Sequence, residues 1–311
     1  MMKMQKSLAM GFIAVSIMAL VGCGGGAEKA KITQENVDTL GKNAAKILPG
    51  CEYNSDNVLG ARMDDDLTAA YALVGQEVKK LKAYHNGRSV KLGHTIDESE
   101  AGTCGGTYHK VGTHVNGIED VTYTYDHYCS GDVTKKTVIT GVVTVHSDST
   151  PTPSGPELNS MDINTGDEGL VTEATAGGTT ETQTVVVKNL KYVVGKDGQP
   201  SILSADRIKT TSGEGEGYEV SNVSVEFTGD ETGGSMTVKN ATYTDPDVGA
   251  VTVKTTSMAY GNGATGSGTI TLTGSDGKVD FKTDDMSTMK FTAYLDDKPA
   301  GSIDCSKANA N

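Results

Sequence analysis

The sequence predicts a mainly β protein: an antiparallel meander forming a curved sheet, sandwich or barrel-like domain, with two N-terminal amphipathic helices. Three observations carry this prediction. Residues 101–311 hold 35 threonines, and threonine with valine and scattered tyrosine suits a pleated, half-solvated surface. From Gly105 onward the apolar period is two, as in Val121-x-Tyr123-x-Tyr125-x-His127, which is the period of a strand. Turn residues then cut the pattern into short pieces, at Lys196-Asp197-Gly198, Gly229–Gly234, Asp245-Pro246-Asp247 and Ser275-Asp276-Gly277. Short strands joined by tight turns make a meander.

The elements follow in order. Residues 33–100 read as a helical N-terminal part. Val37, Leu40, Ala44, Ile47 and Leu48 recur at helical spacing after the candidate cap Thr33, and Pro49-Gly50 stops the run. A second stripe has Leu67, Tyr71, Val74, Val78 and Leu81, with Asp64–Asp66 at its start and Lys79, Lys80 and Lys82 at its end, charges that match the helix dipole. Residues 101–305 form the antiparallel β domain. Strands are expected over 121–127, 137–145, 185–194, 201–210, 218–227, 236–244, 250–257, 268–273, 278–283 and 288–295. Residues 147–184 are poor in apolar side chains and carry Pro151, Pro153 and Pro156, so a long loop is expected there. Residues 306–311 are a tail.

A weak repeat runs through the second half. Val187-Lys188-Asn189-Leu190, Val220-Ser221-Asn222-Val223 and Val238-Lys239-Asn240-Ala241 each change apolar parity across a polar residue and an asparagine. A regular strand cannot do this without turning its apolar set to the other face. A β-bulge can, by inserting one residue, and asparagine tolerates the left-handed conformation that some bulges need.

At the N-terminus, Lys3 and Lys6 precede an uncharged apolar run from Leu8 to Val21. That is the pattern of a secretory signal, and it is shorter than the ~20 residues of a spanning helix. The run closes on Leu20-Val21-Gly22-Cys23, which resembles the lipobox of bacterial lipoproteins. The resemblance implies that residues 1–22 are a signal peptide, that cleavage falls before Cys23, and that the Cys23 sulfur carries diacylglycerol, with a further acyl chain (palmitate-like) on the new amine. Two or more chains hold a protein stably on a membrane. Gly24-Gly25-Gly26 opens a stretch, 23–32, expected to be a flexible tether. No aspartate follows Cys23, which favours the outer membrane.

Four cysteines remain besides Cys23, and an even count in an exported chain implies two disulfides. Asn116-Gly117 is a strong two-residue hairpin signal that favours a type I′ turn. Facing residues of that hairpin have numbers with a constant sum, 233, and Cys104 and Cys129 share it. They are expected to face each other as a non-hydrogen-bonded pair, with Cα atoms roughly 4.5 Å apart. The same register sets Tyr108 against Tyr125, Lys110 against Tyr123 and Gly112 against Val121 on a buried face. Thr107/Asp126 and His109/Thr124 should face solvent. Elimination leaves Cys51 with Cys305.

Composition narrows function. The chain carries a formal charge of −13, which repels phosphate backbones, so no nucleic-acid partner is expected. Gly261-x-Gly263-x-x-Gly266 matches a dinucleotide fingerprint, yet a strand pattern rather than a helix follows it. His109 and His114 fall on opposite strand faces, and with His127 they make no expected metal site. Asp245, Asp247, Asp284, Asp285, Asp296 and Asp297 lack the spacing of a calcium loop. No cofactor and no metal are implied, and no nucleophile–base pair stands out. Cys104-Gly105-Gly106, Tyr128-Cys129, Thr140-Gly141-Val142, Tyr243-x-Asp245-Pro246-Asp247-x-Gly249-x-Val251 and the Gly268–Lys282 hairpin are similar to a group of β-rich bacterial envelope lipoproteins. That resemblance implies export and β-structure, and no activity. The expected protein is non-catalytic and lipid-anchored through Cys23, binding an envelope partner or giving structural support. The alternative is a carrier or chaperone that holds an apolar ligand in a curved-sheet cavity.

Overall fold

The computed structural model describes residues 29–37, 39–40, 52–54, 93–132, 135–152, 157–213, 217–230, 233–245, 248–261, 266–286 and 290–304. Alternation and turns produce seventeen strands among them. They are β1 (Glu52–Asn54), β2 (His94–Ala101), β3 (Thr107–Val115), β4 (Ile118–Gly131), β5 (Lys135–Thr150) and β6 (Glu157–Ala176). β7 (Thr179–Lys188), β8 (Leu190–Val193), β9 (Ser201–Ser212), β10 (Gly217–Asp230) and β11 (Gly233–Asp245) follow. The last are β12 (Gly249–Thr255), β13 (Met258–Gly261), β14 (Gly268–Thr273), β15 (Lys278–Thr283), β16 (Lys290–Leu295) and β17 (Lys298–Asp304).

The expected antiparallel meander is present. Each strand from β2 to β6 pairs with the next. β7 and β8 lie end to end between β6 and β9. The ladder continues through β10 and β11, with β12 and β13 sharing β11's far side, then β14 to β17. β17 finally takes up the short β1. One face supplies a single core cluster in which Tyr123, Tyr243, Phe227, Phe281 and Phe291 are nearly sealed from water.

The long strands bend at a line of irregularities running from β4 to β11. Register slips after Tyr125 in β4 and between Gly141 and Val143 in β5. Asn189 separates β7 from β8, and Asn189 and Asn222 adopt positive φ of 49° and 53°. Between β10 and β11 one residue is added near Asn222 and another at Lys239, so the register returns to its starting value. The Asn240 side chain donates a hydrogen bond to the Asn222 carbonyl across the two bulges. Along β9, β10 and β11 the buried residues step by three at this line: Ala205 to Ile208, Val220 to Val223, Val238 to Ala241. The extra residue lets the same face stay inward while parity switches. The second and third repeat copies are thus bulged, although Asn240 needs no left-handed φ; in the first copy Asn189 breaks the strand, and β7 and β8 keep one register against β9.

Three expectations change. Residues 147–184 are not a long loop: β5 runs to Thr150, and β6 and β7 form a hairpin through Gly177-Gly178. Threonines such as Thr165 and Thr172 occupy inward positions there, so the segment lacks an apolar signature. Residues 94–100, assigned to the helical part, belong to the strand β2 on β3. The tether also ends early, because Lys29–Ile32 lies on the sheet: Lys29 bridges Ala250 and Lys31 bridges Asp276 in parallel sense. From Thr33 the chain enters a helical turn. The Leu40 amide donates to the Asn36 carbonyl, the Val37 amide to Thr33, and the Asn36 side chain accepts from the Thr33 amide. Val37 and Leu40 are fully buried. The remainder of the first predicted helix and all of the second lie outside the described residues, as do Cys23, Cys51 and Cys305.

Candidate functional site

The β3–β4 hairpin concentrates the chain's unusual chemistry. Asn116 and Gly117 have φ of 53° and 87°, the two positive values of a type I′ turn. Val115 faces Ile118, and the predicted pairs Tyr108/Tyr125, Lys110/Tyr123 and Gly112/Val121 all form. Tyr108, Tyr123 and Tyr125 are buried on that face; Thr107, Asp126 and Thr124 are exposed on the other, with His109 half-exposed. The Tyr108 ring lies 5.4 to 6.0 Å from those of Tyr123, Tyr125 and Tyr128. The Tyr128 hydroxyl donates to Glu100 on β2. Burial first, then the Glu100 carboxylate, push its pKa up.

Cys104 and Cys129 form a disulfide with Cα atoms 5.1 Å apart. The local geometry differs from the expected ladder, because β3 begins only at Thr107. The Cys104 amide donates to the Cys129 carbonyl, while the Cys129 amide donates to the Gly105 carbonyl. Two residues thus oppose one, in a hydrogen-bonded bulge. The shared sum survives because both arms leave the regular ladder together.

Nearer the turn the same inward face carries charge. Lys110 Nζ stands 3.2 Å from Glu119 Oε1, with side chains 6% and 3% exposed. His114 Nδ1 lies 3.5 Å from Glu119 Oε2. The His114 ring stacks on His94 at 5.6 Å, and Lys110 Nζ sits 5.5 Å from the Tyr123 ring centre. Ser147, also buried, is Glu119's neighbour on β5. Removing two ions from water is costly, and only mutual attraction with further polar contacts compensates. Register placed Lys110 inward on the sequence alone, but no sequence signal marked Glu119 as its partner.

The other candidates separate in space. His109 Nε2 meets Asp97 and His127 Nδ1 meets Asp126, each at 2.8 Å, on exposed positions away from His114. Asp296 and Asp297 form the β16–β17 turn with φ of 49° and 60°. Among the described residues, no group of three or more metal-ligating side chains comes together. The glycine-rich segment before β14 leads into a strand. Among the described residues no helix is long and apolar enough to cross a membrane. No family model, curated protein or solved structure matches this chain.

Proposed function

We propose that this is a lipid-anchored cell-envelope protein that binds a partner or gives structural support, and that it is not an enzyme. The observation that carries the reading is the basic, then apolar leader ending at Leu20-Val21-Gly22-Cys23. The Cys104–Cys129 disulfide supports it, since such bonds persist in oxidising compartments. The sealed Lys110–Glu119 pair favours a structural role for the most charge-dense part of the core, because a substrate could not reach it. The continuity of the core cluster favours a packed module over a carrier.

Acylation is tested with Cys23→Ser. The wild-type mature protein should carry acyl mass and partition into detergent, and the variant should stay unprocessed or become soluble. A variant cut at the same bond, membrane-bound and unchanged in mass would overturn the reading. Native mass spectrometry of gently purified mature protein should retain a protein partner or nothing. A stoichiometric apolar ligand would establish a carrier instead.

A further inference from the structure

We infer that the lipid anchor orients the whole sheet: the end bearing the β14–β15 and β16–β17 turns faces the bilayer, and the opposite end points away. The inference rests on acylation of Cys23, and it deepens that reading. The chain is captured almost as soon as it leaves the anchor. The Ala30 amide donates to the Ala250 carbonyl at 2.8 Å, and the Ile32 amide donates to Asp276 at 3.0 Å. The Ala30 carbonyl accepts from both the Ser275 amide, at 2.7 Å, and the Ser275 hydroxyl, at 3.2 Å. Ala30 and Ile32 are buried at 2% and 7% exposure, so this segment is built into the fold.

Six peptide steps separate Cys23 from Lys29, and fully extended chain spans at most about 3.5 Å per residue. The Lys29 backbone therefore lies within about 21 Å of the Cys23 backbone. The sheet is taller than that, since the 13 residues of β11 rise roughly 40 Å at about 3.4 Å each. Topology decides which end is held. Ala250 is the second residue of β12, opposite Thr244 near the end of β11, and Asp276 sits in the β14–β15 turn. Val279 faces Leu295, which brings the β16–β17 turn to the same end. The β8–β9 turn and the start of β14 lie at the other. The held end carries Asp245, Asp276, Asp296 and Asp297 against Lys278, Lys298 and the strap's own Lys29 and Lys31. These charges balance, so the length of the tether sets the gap between this end and the bilayer.

Energy transfer tests this. A ketone-bearing non-natural residue, placed at Lys298 or at Gln199, takes a donor dye in the full acylated protein. Vesicles of phosphatidylethanolamine and phosphatidylglycerol carry acceptor-labelled lipid. Transfer should be several-fold stronger from position 298 than from 199, and inserting twenty Gly/Ser residues after Gly26 should erase most of the difference. Equal or reversed transfer, in protein that floats with vesicles and shows acyl mass, would overturn the orientation alone. Protein that neither floats nor carries acyl mass would overturn the lipoprotein reading and this inference with it.

Discussion

Lys110 and Glu119 show how a residue-level feature is dictated by its neighbours. Strand alternation forces both inward once Tyr108, Tyr123 and Tyr125 are buried, and each charge is tolerated because the other is 3.2 Å away. Breaking one half leaves an uncompensated buried ion. Glu119→Gln should cost about 3–5 kcal/mol in chemical denaturation, whereas Lys110→Met combined with Glu119→Leu should recover most of it. Additive losses in the double variant would contradict this account. Tyr192 supplies a pH-dependent counterpart. Burial raises its pKa above the ordinary value, opposed by the Ser201 hydroxyl. A raised pKa stabilises the fold below about pH 10 and withdraws that stability as pH rises through the folded value. Alkaline unfolding followed by circular dichroism should thus be less steep in Tyr192→Phe. An unchanged profile would assign the alkaline loss to other groups.

At the scale of elements, local pattern and long-range contact divide the outcome. The β3–β4 hairpin was legible because its turn dipeptide, alternation and cysteine spacing all lie within 26 residues and agree. The asparagine-marked bulges were legible for the same reason: a parity change is a local event. The companion step at Ala205–Ile208 in β9 has no asparagine to mark it, and the β6–β7 hairpin hides its inward face behind threonine. The strap from Lys29 to Ile32 was not legible, because its partners lie more than 200 residues away. It depends on Gly274, where any Cβ would collide with the Ala30 carbonyl. Gly274→Ala should therefore lift the strap, at a cost of about 1–3 kcal/mol. Hydrogen exchange at the Ala30, Ile32 and Ser275 amides should accelerate while β3 and β4 amides stay protected. Unaltered exchange at those three amides would show that the strap accommodates the methyl group.

For the whole molecule, the meander leaves its two ends to be managed. Among the described residues β2 is paired with β3, and it carries exposed Asp97, Glu98 and Glu100, charges that discourage pairing with another chain. The other end closes on β1, where Glu52 faces Asp304, Tyr53 faces Ile303 and Asn54 faces Ser302. These pairs share the sum 356, and continuing that register by one residue would set Cys51 opposite Cys305, the pairing the sequence reaches by elimination. Non-reducing peptide mapping should find Cys51 joined to Cys305, and loop entropy for about 250 enclosed residues suggests roughly 5 kcal/mol of stabilisation. Linkage of either cysteine to Cys104 or Cys129 would refute it. The sequence by itself determined what depends on neighbours along the chain: the period-two strands, the Asn116-Gly117 turn, the inward tyrosines and the places where strands bend. Only the tertiary structure decided which strands share a bend, where the strap docks and how Lys110 finds its carboxylate. Those outcomes depend on residues brought together across the sheet, and no local period records which distant strand will stand beside them.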